Sequence, residues 1–139
     1  MLNRSVLMNV EGTKSVLELA KKMRHLKAFV HVSSAYAHCI RSKIHEEFYN
    51  DEEVEAADII DLCRKGDPEE LNRPDVTRKL IGKHPNTYTY TKAVTELMLQ
   101  RQASHLPVVI FRPSIVVAAW KSPTPGWVDN FNGPTGIVG

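Results

Sequence analysis

Apolar positions recur along the chain with two different periods. Val6, Val10, Thr13, Leu17 and Ala20 are spaced by fours and threes, which predicts an amphipathic helix starting almost at Met1 without a convincing cap. Gly12 sits inside it. A mid-helix glycine costs roughly 1 kcal/mol against alanine, so close backbone packing is expected there. Residues 28–32, Ala-Phe-Val-His-Val, read as a buried strand that ends at Ser33-Ser34. Residues 40–83 are irregular and polar, with room for two or three short helices. Residues 88–105 form a second predicted helix, amphipathic over residues 93–101. Residues 107–112 form a second strand, stopped by Pro113. From Lys121 onward, Pro123, Pro125, Gly126, Gly133, Pro134 and Gly136 predict loop.

Apolar strands alternating with amphipathic helices predict an α/β fold, a parallel sheet with helices on its faces. In such sheets ligands bind beyond the carboxyl ends of the strands. Ser34 lies just past one predicted strand end and Pro113-Ser114 just past the other. Tyr88 opens the helix between them. Three polar places therefore converge on one edge.

Tyr88 and Lys92 sharpen that picture. They stand four apart in Pro85-Asn86-Thr87-Tyr88-Thr89-Tyr90-Thr91-Lys92, so on a helix they share a face. An ammonium beside a phenol favours the phenolate, which suits a phenol to proton donation in carbonyl reduction.

Composition narrows the class. At 139 residues, 42% hydrophobic and 24% charged, the chain has the size and make-up of one small globular domain. Cys39 and Cys63 show neither metal spacing nor a disulfide framework, which points to a reduced intracellular setting. The sequence contains no run of about 18 apolar residues and no signal-peptide pattern at its start. The formal charge of +2 hides a division. Eleven of the 16 acidic residues lie in residues 46–70 against only Arg64 and Lys65, so that segment carries −9 and the rest +11. The plain reading is a solvated acidic insertion on a basic body. The sharper reading has the basic body facing a polyanion, such as a phosphorylated cofactor or coenzyme A.

Asn9-Val10-Glu11-Gly12-Thr13, Ser33-Ser34-Ala35-Tyr36, Tyr88-x-x-x-Lys92 and Arg112-Pro113-Ser114 resemble the extended short-chain dehydrogenase/reductase superfamily. Three stretches are similar to the alcohol-forming fatty acyl-CoA reductases within it: His31-Val32-Ser33-Ser34-Ala35-Tyr36, the Pro85-to-Lys92 run, and Pro125-Gly126-Trp127-Val128-Asp129-Asn130-Phe131-Asn132-Gly133-Pro134-Thr135-Gly136. The resemblance covers nearly the whole chain and is loosest over residues 40–83. It implies a Rossmann-like NAD(P)-binding domain over residues 1–139. It also implies NADPH as cofactor and long-chain fatty acyl-CoA as substrate, reduced through an aldehyde to a primary alcohol in lipid metabolism. Peroxisomal or endoplasmic reticulum membranes are the implied location, reached through regions other than this chain. By position, Tyr88 would be the general acid. Lys92 would favour its ionised form and hydrogen-bond the nicotinamide ribose. Ser34, rather than Ser33, would hold the substrate oxygen. Asn9 would order the Lys92 side, and Pro113 and Ser114 would lie against the nicotinamide.

One departure from the family pattern stands out. The superfamily opens with a glycine-rich turn that cradles the cofactor pyrophosphate, and none of the seven glycines here forms one after a strand. An internal fragment is therefore expected, with the catalytic residues present, the N-terminal glycine-rich βαβ unit absent, and no activity by itself. The six histidines show no metal-ligand spacing, so no metal is expected, and the Gly-rich tail lacks the alternation of basic and aromatic residues that nucleic-acid binding calls for, so no nucleic acid is expected as a partner. Trp120 and Trp127 could line an acyl channel, but local packing is the plainer expectation. The rival readings are a non-catalytic interaction module, or an extended reductase acting on a sugar nucleotide or sterol.

Overall fold

The computed structural model describes residues 1–129. The last seven residues of the Pro125-to-Gly136 motif, and the predicted loop glycines within them, lie outside the described residues. The expected first helix is present as one unbroken helical run. It comprises α1 (Leu2–Ser5), a π-helical segment (Val6–Glu11) and α2 (Gly12–Ala20). Strand β1 (Phe29–Val32) follows, then α3 (Ala56–Lys65), α4 (Pro68–Leu71), α5 (Pro74–Ile81), α6 (Thr87–Gln102) and β2 (Val108–Phe111).

Local chemistry sets these boundaries. The Asn86 side chain caps α6, accepting a 2.9 Å hydrogen bond from the Thr89 amide. Asp67 caps α4 in the same way, with proline at the first helical position. Gly82 ends α5 at φ +58°, a conformation that favours glycine. Gly12 has no such role. A Cβ built there would meet only the Leu7 carbonyl at 3.9 Å, an ordinary contact. The expectation that close packing demands this glycine is therefore corrected.

The sheet is the expected parallel pair, with Phe29 opposite Val108 and Val32 opposite Phe111. Helices flank it in a Rossmann-like arrangement. The ladder runs past the strands, through Ser33 N–H to the Phe111 carbonyl at 2.8 Å and Ala35 N–H to the Pro113 carbonyl at 2.9 Å. One face packs against helices, where Leu17, Leu99 and Ala103 meet Phe29 and Val108. The opposite face carries Val30, Val32, Val109 and Phe111, each more than half exposed. β1 is thus not the buried strand expected. Side chains alternate across a pleat, and only one side is covered among the described residues.

The larger core joins the first helix, α3 and α6 through Leu2, Val6, Val10, Ile59, Ile60, Cys63, Tyr90, Val94 and Met98. Residues 40–83 contain three short helices, as expected, but they are not a peripheral insertion. α3 turns Ile59, Ile60 and Cys63 inward and leaves Asp58 and Asp61 in solvent. Helix α6 also departs from expectation. It is not amphipathic, because every residue from Thr89 to Leu99 except Lys92 is buried. Core surrounds it, and Thr91, Thr95 and Glu96 are polar groups it buries.

Candidate active site

The carboxyl ends of β1 and β2 meet the first turns of α6, and the candidate residues gather there. Tyr88 lies in the first turn of α6 and is 47% exposed. Lys92 follows one turn later, its Nζ 5.8 Å from the Tyr88 ring centroid. The ammonium also donates a 3.0 Å hydrogen bond to the carbonyl of Val32, the last residue of β1. One cation thus joins the helix to the strand end.

Ser33 and Ser34 follow directly, and both are buried. Their hydroxyls have different tasks. Ser33 Oγ donates to Glu96 Oε1 at 2.5 Å. Ser34 Oγ accepts from the Tyr36 amide at 3.1 Å, which leaves its own proton uncommitted to any described acceptor. Pro113 accepts from Ala35 N–H and so lies beside the serine turn. Ser114 comes next and is exposed.

Asn9 meets α6 from the first helix. Its place in the π-helical segment turns its amide toward α6, where Nδ2 donates to Thr91 Oγ1 at 3.0 Å. The Asn9 carbonyl accepts from Thr13 Oγ1 at 2.7 Å and Thr95 Oγ1 at 3.3 Å. Two side-chain hydroxyls thereby serve a carbonyl at the site of the helix irregularity. Asn9 is thus tied to the residue immediately before Lys92.

Sequence reasoning missed the group at the centre, Glu96. Its carboxylate is 1% exposed. It accepts from Ser33 Oγ, from His38 Nε2 at 3.0 Å, and from Arg112 through Nε at 3.1 Å and Nη2 at 2.6 Å. Burial alone would raise this carboxyl. The hydrogen bonds from His38, Arg112 and Ser33, with the Arg112 charge, outweigh it and bring the pKa down to about 2. Arg112 continues outward to the His45 carbonyl at 3.2 Å and the Glu47 carbonyl at 2.9 Å. Its guanidinium and that of Arg41 lie over the Tyr49 ring, at 5.4 and 4.2 Å from the centroid. The spacing of Lys92 and Glu96, four residues on one helix, was the available signal.

The other singled-out residues are elsewhere. His31 points into the core side of β1, and burial, then the Lys92 charge, lowers its pKa. His84 pairs with Glu52 at 2.6 Å. Among the described residues no group of three or more His, Cys, Asp or Glu side chains is arranged to hold a metal. No described helix is long and apolar enough to cross a membrane. Trp120 and Trp127 are exposed, at 82% and 52%, against the expectation of local packing. Trp120 stacks under the Lys121 ammonium, 4.4 Å from the ring centroid.

A family model described as male sterility protein, an NAD-binding domain, matches residues 1–139. The chain belongs to this NAD-binding family. Curated relatives are fatty acyl-CoA reductase 1 of Xenopus laevis, 48% identical over 136 residues, and of Homo sapiens, 47% identical over 136 residues. Fatty acyl-CoA reductase wat of Drosophila melanogaster is 42% identical over 137 residues. These alignments cover 98–99% of this chain and 26% of each relative, so the chain spans about a quarter of their length. No solved structure matches it significantly.

A nicotinamide cofactor fits the family and the donor set. An ammonium, a phenol and a hydroxyl stand at one sheet edge, with Tyr88 and Ser114 open to solvent. The fit is to the nicotinamide end. No glycine occurs between β1 and α3, so no glycine turn follows the strand to cradle a pyrophosphate.

Proposed function

We propose that this chain is the proton-handling part of an NADPH-dependent fatty acyl-CoA reductase that converts long-chain acyl-CoA to a primary alcohol at a peroxisomal or endoplasmic reticulum membrane. The observation that carries the proposal is the Lys92 bridge. One ammonium lies beside the Tyr88 ring and is hydrogen-bonded to the end of β1, next to the serine turn. The names of the relatives supply the substrate class.

When bound, NADPH would supply one hydride to take the thioester to the aldehyde with loss of the CoA thiolate, and a second NADPH one hydride to take the aldehyde to the alcohol, while the protein supplies position and field. The Tyr88 phenol donates its proton to the aldehyde oxygen as negative charge develops there in the second reduction. The Lys92 ammonium stabilises the phenolate left behind and would hold the nicotinamide ribose of a bound cofactor. The Ser34 hydroxyl donates to the same substrate oxygen, an oxyanion contact that can be worth about 3 kcal/mol in the transition state. Asn9 holds the turn of α6 that carries Lys92, and Pro113 and Ser114 form the wall beside the nicotinamide.

The test installs residues 1–139 in the Xenopus laevis reductase in place of its matching segment. The swapped enzyme is expected to oxidise NADPH and form fatty alcohol from a long-chain acyl-CoA. A folded swapped enzyme that forms none contradicts the proposal.

A further inference from the structure

We propose that Glu96 is the positioning residue of this site, a single buried carboxylate that sets the Ser33-Ser34 turn against the helix carrying Tyr88 and Lys92. The inference rests on the proposed role of Ser34. Tyr88, Lys92 and Glu96 are spaced by four, so they follow one face of α6 with a rise of about 6 Å per step. Successive turns of that face hold successive residues of the strand end. Lys92 binds the Val32 carbonyl, and Glu96 binds the Ser33 hydroxyl. The next residue is Ser34.

The same carboxylate holds the second strand end. Arg112, which joins Glu96 through both Nε and Nη2, directly precedes Pro113 and Ser114. His38, four residues beyond Ser34, supplies the third anchor. Every segment that carries a candidate residue past a strand end is therefore tied to Glu96.

Stability alone does not account for this arrangement. Two ions taken out of water lose much of what their attraction returns, and well-packed apolar side chains often serve a core as well or better. A buried carboxylate with all its donors supplied fixes direction and register, which apolar contacts do not. Ser33 is spent on this link, and Ser34 keeps its proton for the substrate.

The swapped reductase tests the inference through kinetics. Ser33→Ala removes one hydroxyl and leaves the Glu96–Arg112 pair intact, so it should fold. It is expected to lower kcat about tenfold, with KM for both substrates within about twofold. In a Ser34→Ala background the same change should cost less than about twofold, because its effect passes through Ser34. Glu96→Gln should show the same non-additivity; if it fails to fold, Ser33→Ala still reads the link. A Ser33→Ala enzyme with normal kcat overturns the inference. So does a Ser33→Ala loss that repeats in full on top of Ser34→Ala. Should Ser34→Ala itself keep normal turnover, the assignment of Ser34 fails and the positioning role falls with it.

Discussion

Lys92 Nζ is hydrogen-bonded to the carbonyl of Val32 at 3.0 Å, while the two residues lie 60 positions apart in the chain. A helix residue is thereby fixed to the end of the strand that precedes the serine turn. The ammonium is proposed to serve two tasks, holding the ribose and stabilising the phenolate.

Lys92→Met should therefore damage both cofactor affinity and chemistry. In the swapped enzyme we expect KM for NADPH to rise and kcat to fall together. Ser34→Ala should lower kcat with little change in either KM. Steady-state kinetics separate the two patterns. A Lys92→Met enzyme altered only in KM would deny the ammonium any part in the chemistry.

Acid should loosen the site in two stages. His31 has a folded-state pKa below its usual 6.5, from burial first and then the Lys92 charge. The unfolded chain binds that proton more readily, so stability falls as pH drops below about 6.5. Glu96 titrates at about 2 when folded, against 4.5 ordinarily. Its contribution is complete above about pH 4.5 and is lost as pH falls through about 2. Denaturant unfolding at a series of pH values should show both stages as losses of unfolding free energy. Glu96→Gln should flatten the lower one, leaving the smaller part due to Asp51, whose pKa the Arg41 hydrogen bond lowers. An unchanged profile between pH 4.5 and 2 would contradict the assignment.

The 139-residue chain by itself should neither reduce acyl-CoA nor bind NADPH at micromolar concentrations. Its strand ends are proposed to receive the nicotinamide, and among the described residues no glycine turn follows β1 to receive the pyrophosphate. Calorimetric titration of NADPH into the purified chain checks this, and saturable micromolar binding would show that the phosphates are held by other means.

The helices and strands that were legible in the sequence are those with a clear period. Val6, Val10 and Leu17 mark the first helix, and the two short apolar runs mark the strands. Tyr88 and Lys92 were legible because one face of a helix brings them together. The expected amphipathic α6 was misread because Thr91, Thr95 and Glu96 are polar yet buried, each with a partner on another element, Asn9 for the two threonines and Ser33 for the carboxylate. The acidic segment was misread for the converse reason. Its charges dominate the composition, while four of its residues, Ala56, Ile59, Ile60 and Cys63, carry the packing. Glu96 was missed because its donors come from the stretches after two different strands, Ser33 and His38 past β1 and Arg112 past β2, and no local pattern ties either to α6.

The central claim is that Tyr88 supplies the proton. Tyr88→Phe in the swapped reductase removes one oxygen from a half-exposed side chain, so the fold should be unchanged. Fatty alcohol formed per enzyme per unit time, measured with saturating NADPH and long-chain acyl-CoA, should fall by about 10²-fold or more. Near-normal alcohol formation by a folded Tyr88→Phe enzyme would contradict the account.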